Sequence, residues 1–315
     1  MGLVPTSLLA VPGAPGSIAS ATVTHAAQPA QSAQASVAGH AIDNRDKSAV
    51  AEAYQSRWKD NLDTPSGWVG SVDLCVPGTI TPVAQDAVHE SINFVRAMAG
   101  LDAVGFADGL SSKAQEAALL MDANNSLSHD PPSSWDCWTK TAAEAAGHSN
   151  LAITTGTMDA GESVELYMDD QGPNNVVAGH RRWLLRPEAK TFGNGMTDTA
   201  SVVWVIGPTS SKKANPRWVP WPSAGWFPAG LEPHGRWSIG SGSDRANFSR
   251  ASVVVRKKGG SRLDVRKYKP VNGYAKPTLV FRVKGLEKSG TYVATVRGVR
   301  GVKESRHTWT VKLFN

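Results

Sequence analysis

The chain has 315 residues, 41% hydrophobic and 19% charged, with a formal net charge of +6. That length suits about two domains of roughly 150 residues, and the apolar fraction is enough for real cores, which excludes wholesale disorder. No run of about 18 apolar residues predicts a transmembrane helix, collagen and coiled-coil patterns are missing, and the two cysteines are too few for a thiolate zinc site.

The net charge conceals a step. Residues 1–209 carry 11 basic and 22 acidic side chains (net −11), whereas residues 210–315 carry 22 and 5 (net +17). An asymmetry of this size marks two modules with different surroundings.

Residues 1–42 hold no Asp, Glu, Lys or Arg and are rich in Ala, Ser, Pro and Gln, a composition that cannot build a core. They read as a secretory leader with an A-x-A-like site at Ala19-Ser20-Ala21, followed by a disordered linker. Pro5, Pro12 and Pro15 and the missing basic start make the signal atypical, and a misplaced start codon would account for it. After a pre-domain segment, 43–79, the pattern turns helical. Thr81 caps, Pro82 suits the first helical position, and Val88, Ile92, Val95 and Ala99 form one stripe ended by Gly100. Further helices are expected over 113–123, 162–168 and 176–184, with strands at 151–153 and 202–206. Residues 80–209 therefore read as α+β, or as an α-β-α sandwich.

Beyond Pro208, residues 212–240 alternate Trp with Pro and read as an irregular connector. Such a segment packs one domain on another or offers rings to a carbohydrate. Strands of period two follow at 252–256, 262–265, 278–283, 292–297 and 309–314, separated by Gly259-Gly260, Asn272-Gly273 and Ser289-Gly290. Residues 210–315 are thus expected to close as an all-β sandwich-like domain.

Cys75 and Cys137 are most simply one disulfide in an exported chain, worth about 4 kcal/mol in the chain-entropy model; the alternative is two unrelated buried thiols. His129 (LSHDPPSSW) and His180 (NNVVAGHRRWLLRP) sit in dense local contexts. Glu162, Glu165, Asp169 and Asp170 read as a solvated acidic face, with Arg181 and Arg182 as its salt-bridge partners. HExxH, CxxC, G-x-S-x-G and P-loop patterns do not occur.

The ordered set INFVRAMAGL, AQEAALLMDANNSLSH, HSNLA, VELYMDDQG, GHRRWLL and FGNGM resembles the CAP superfamily, the SCP/PR-1-like secreted proteins, across about residues 80–207. The resemblance extends to bacterial members with a β-rich extension. It implies an α-β-α sandwich with a central cleft, in which His129 and His180 are the paired histidines. The E-N-[IL]-A motif falls on Ser149-Asn150-Leu151-Ala152, so Ser149 replaces a glutamate. The second acidic position falls on Asp169, with Asp170 one residue away. The implied cleft cluster is His129, Ser149, Asp169, Asp170 and His180. His129, His180 and Asp169 are then the tentative Zn or Ca ligands and the candidate catalytic residues. The alternative is a buried polar network that fixes the cleft walls.

For function, the sequence supports an extracellular or envelope binding protein whose cleft holds a divalent metal or a small apolar ligand. The first alternative is a metal-assisted, peptidase-like hydrolase. The second is adhesion to an anionic cell-wall polymer or lipid through a basic patch at Arg256, Lys258, Arg262, Arg266 and Lys267, with alternation placing Arg256 and Lys258 on one sheet face. Nucleic acid is disfavoured, since no recognition motif is present.

Overall fold

In the computed structural model, which describes residues 41–315, helix α1 (Lys47–Tyr54) runs through a π-turn at Gln55–Lys59 into α2 (Asp60–Leu62). The leader reading falls outside the described residues except for its last two positions. A hairpin of β1 (Val69–Ser71) and β2 (Val76–Thr79) precedes α3 (Pro82–Met98), β3 (Gly105–Phe106) and α4 (Asp108–Ala123). Next come α5 (Lys140–Gly147), β4 (Ser149–Ile153), α6 (Ala160–Asp169), α7 (Gly179–Leu184), β5 (Thr191–Met196) and β6 (Ala200–Trp204). Strands dominate the remainder: β7 (Trp218–Trp221), β8 (Gly225–Pro228), β9 (Arg236–Ser241) and β10 (Ser252–Lys257). They continue with β11 (Val265–Lys267), β12 (Thr278–Val283), β13 (Gly290–Arg297) and β14 (Arg306–Phe314).

The first region is an α-β-α sandwich. Its sheet has the order β3-β5-β6-β4. Alternation sends Leu151, Val202 and Trp204 to one face, where Ala114, Ala117 and Met121 of α4 and Ala142 and Ala146 of α5 cover them. Ala152 and Val203 face the other way, into the cluster that holds Val88, Ile92 and Val95 of α3 and Val164 and Met168 of α6. Two glycines of the FGNGM segment let α4 lie on β5. A Cβ at Gly193 would stand 2.4 Å from the Leu110 carbonyl carbon, and one at Gly195 2.2 Å from the Gln115 nitrogen.

The second region packs the sheet β11-β12-β9-β7 on the sheet β10-β13-β14-β8. Rings interleave between them: Trp237 meets Tyr292 at 6.4 Å and Phe281 meets Trp309 at 6.5 Å between centroids. The α3/α6 cluster continues into these sheets as one buried apolar core.

Several expectations need correction. The 212–240 connector is not irregular, because it supplies β7, β8 and β9. Its prolines mislead as breakers, since β7 and β8 are edge strands, where Pro is tolerated. Trp218, Trp221 and Trp237 are buried in the core, so these rings cannot stack on a carbohydrate. The fourth helix is shorter than 176–184, because Ala178 adopts a left-handed conformation (φ +49°) immediately before it. The second helix begins earlier, at Asp108, and the capped helix α5 was not legible. The strand expected at 262–265 begins only at Val265, and Arg262 makes an isolated bridge to Arg256. The pre-domain segment is part of the core, with Val50 and Trp58 fully buried.

Candidate functional site

Cys75 and Cys137 are disulfide-bonded, with a 5.1 Å Cα separation. The bridge ties the β1–β2 hairpin to the segment between α4 and α5, which carries His129. That segment walls a cleft of about 620 Å³, opposite β4, the end of α6 and residues 171–175. Leu151 and Ile153 line its inner wall, while Leu127 and Leu166 stand 44% and 42% exposed at its edge.

Both predicted histidines line this cleft. His129 Nδ1 lies 2.8 Å from the Ala146 carbonyl. A carbonyl only accepts, so Nδ1 carries the proton and Nε2 is the acceptor nitrogen of the neutral ring. His180 Nδ1 lies 2.7 Å from Asp170 Oδ1, a carboxylate with no exposed side-chain surface. This pairing likewise leaves Nε2 as the nitrogen for the cleft. Asp170 adopts φ +52° at the C-cap of α6, and its Oδ2 accepts from the Arg181 backbone N–H at 3.1 Å. The His180 ring also lies 5.5 Å from that of Tyr167, whose hydroxyl donates to the Ser201 carbonyl at 2.8 Å. Burial pushes the Tyr167 phenol above its ordinary range.

The remaining predicted residues divide. Asp169 lines the cleft, but its Oδ2 is engaged by Gln171 Nε2 at 3.0 Å and faces His234 Nε2 at 3.1 Å. Ser149 is buried, donates to the Ala145 carbonyl at 2.6 Å and does not line the cleft. Asp170, one residue from the motif match, is the acid that the structure places on His180. Among the described residues, no three His, Cys, Asp or Glu side chains gather so as to hold a metal ion. Asp170 is committed to His180 and to the Arg181 N–H, and Asp169 Oδ2 to Gln171 and His234.

Arg181 and Arg182 are not partners of a solvated acidic face. Arg181 is fully enclosed and donates to the carbonyls of Met168 (2.6 Å), Asp169 (3.2 Å) and, across the seam on β9, Arg236 (2.8 Å). Arg182 donates to the carbonyls of Val271 and Lys276, both at 3.1 Å, with its guanidinium 5.3 Å from the Tyr274 ring. Burial lowers both pKa values to about 10, so both groups stay cationic at neutral pH. At the same seam, Glu232 accepts from Trp237 Nε1 at 2.7 Å and the Gly235 N–H at 2.8 Å. Its burial still raises its pKa.

Tyr167, Gln171 and His234 were not anticipated. Tyr167 and Gln171 belong to VELYMDDQG, where a conformation-blind reading could not tell cleft from core. His234 reaches Asp169 from far along the chain, and no spacing signals it. The predicted basic residues Arg256, Lys258, Arg262, Arg266 and Lys267 are all exposed. β10 ends at Lys257, so Lys258 lies beyond the strand, where its N–H donates to the Thr291 carbonyl at 2.8 Å.

Residues 89–206 match the family model CAP, the cysteine-rich secretory protein family. No curated protein matches the chain. Among solved structures, an extracellular protein containing a SCP domain from Bacillus anthracis str. Ames is similar, at 18% identity and a TM-score of 0.30. The alignment covers 40% of this chain and 43% of that one, so the chain spans less than half of that protein's length.

Proposed function

We propose, from the match of residues 89–206 to the CAP family, that this is an extracellular binding protein whose cleft takes a small apolar molecule bearing a hydroxyl or N–H donor. The observation that carries this reading is the pairing of apolar walls with two histidines whose Nδ1 atoms are already committed. Leu127, Ile153 and Leu166 offer surface to an apolar body. The Nε2 atoms of His129 and His180 are acceptors that call for a donor. A cleft of about 620 Å³ lies within the usual range for small-molecule sites of about 300–1,000 Å³. Export agrees with the disulfide, which persists in oxidising compartments, and no described helix is long and apolar enough to cross a membrane.

A titration with a medium-chain fatty alcohol, beside its methyl ether, tests the reading. The alcohol is expected to bind about tenfold tighter, one hydrogen bond's worth, and His129→Phe with His180→Phe should abolish the preference. Equal affinities would count against the imidazole acceptors. Micromolar Zn²⁺ binding lost in the same double variant would replace the apolar ligand by a metal.

One observation favours a second reading. His180, oriented by the buried Asp170, has the base-and-orienter geometry of hydrolytic sites, in which the imidazole takes a proton from water. Hydrolysis of an ester or peptide library, lost in His180→Ala, would move the protein to that class.

A further inference from the structure

The β-region carries a second cavity, of about 500 Å³, between the loops over residues 243–249 and 270–278. Neither loop contains regular strand structure before β12, yet several links hold them. Lys276 Nζ lies 2.9 Å from both carboxylate oxygens of Asp244, joining one loop to the other. The Arg182 guanidinium, itself buried, clamps two carbonyls of the second loop, those of Val271 and Lys276. The Asn247 N–H and carbonyl pair with those of Arg300 at 2.8 and 3.0 Å, fixing the first loop to the segment before β14. Phe248 lies buried at the cavity, its ring 6.3 Å from that of Trp218 and edge-on to it. The cavity is therefore built in advance of any ligand, which lowers the ordering cost of binding.

Its lining is rich in polar groups without partners. Arg245 and Asn272 are exposed and make no side-chain hydrogen bond or ion pair among the described residues. Asn247 uses its Oδ1 on the Ser249 N–H at 2.9 Å and keeps its amide donors. Arg182 Nε is buried and finds no partner. The lining leaves a cationic balance, because it carries Arg182 and Arg245 against the single carboxylate of Asp244, which is paired with Lys276 and not with either arginine. An apolar ligand would strand these donors, and a bare polyanion would have no use for the amides. A molecule with many hydroxyls and one acidic group satisfies both.

We propose that this cavity binds an acidic saccharide, with Arg245 taking its carboxylate and Asn247 and Asn272 its hydroxyls. The site is independent of the cleft reading and differs from the strand-borne basic residues. A guanidinium holding a carboxylate in a fixed pocket selects position, whereas exposed lysines and arginines on strands attract any polyanion.

The test is calorimetry on the full chain with a short uronic-acid oligosaccharide, a neutral oligosaccharide of equal length, and inorganic phosphate. The uronic-acid oligosaccharide should bind, and Arg245→Ala and Asn272→Ala should each weaken it about tenfold or more, with near-ultraviolet circular dichroism unchanged. Arg256→Ala with Arg266→Ala should leave the affinity within about twofold. Three results would overturn the proposal: no binding of the acidic saccharide, equal binding of phosphate, or a greater loss in the strand double variant than in Arg245→Ala. Equal binding of the neutral saccharide would remove the role given to Arg245.

Discussion

The two cavities meet at α7 and are built on opposite terms. The cleft has exposed apolar edges and a few polar atoms, the two imidazoles being fixed by Ala146 and Asp170 from nearby elements. The loop cavity has polar walls held by a link between its two loops, Lys276 to Asp244, and by links from outside them, at Arg182 and Arg300. Three consecutive residues divide the work: His180 lines the cleft, Arg181 fills the seam and Arg182 clamps the loop cavity. A helix turns about 100° per residue, so neighbours in sequence face different surroundings. A short run of polar residues thus carries no single role.

Removing the shared element should have the largest effect. Arg181→Met leaves the carbonyls of Met168, Asp169 and Arg236 without their donor in a buried seam. Chemical denaturation is expected to show a loss of about 3–5 kcal/mol, with hydrogen exchange faster around both cavities. Protection lost on one side only would mean that the seam does not couple them.

The next change should separate the regions. Cys75→Ser with Cys137→Ser opens a closure of 62 residues and should cost about 2–4 kcal/mol. Proteolysis should then quicken in the segment between α4 and α5, beside His129, and leave residues 243–249 as resistant as before. Lys276→Met acts on the other side. It frees Asp244, removes a partner of Glu188 and should cost about 1 kcal/mol, partly exposed links being worth little more. Hydrogen exchange should rise at 243–249 and stay unchanged at the cleft.

The smallest effect concerns pH. Burial raises the Glu232 carboxyl above 4.5. The folded state therefore holds that proton more tightly than the unfolded chain, and stability falls as pH rises from the ordinary carboxylate value through the raised one. Glu232→Gln keeps the acceptor for Trp237 and should flatten the melting temperature against pH over that window. Parallel curves would contradict the raised pKa.

Local rules made much of the CAP region legible. Thr81 and Pro82 do start α3, with the Thr81 hydroxyl accepting from the Ala84 N–H, and in the second region the β12 boundaries match. The pairing of His129 with His180 was implied only by the resemblance of the ordered motifs, and both residues line the one cleft. Asp170 against Asp169 was not legible, since only the left-handed turn at Asp170 decides which carboxylate meets His180. Ser149 was misplaced for a related reason: a motif gives a position in the chain, while the face of β4 decides what the side chain touches. The Trp/Pro strands and the loop cavity were hidden because both depend on pairings between distant segments.

The central claim is that both cleft imidazoles offer Nε2 as an acceptor to a ligand's donor. Histidine-selective nitrogen-15 spectra, recorded while a medium-chain fatty alcohol is titrated, test it most directly. The account predicts that His129 and His180 are both Nδ1-protonated and that only their Nε2 signals move toward the hydrogen-bonded range. Either ring found protonated at Nε2 when neutral, or shifts confined to other histidines, would contradict it.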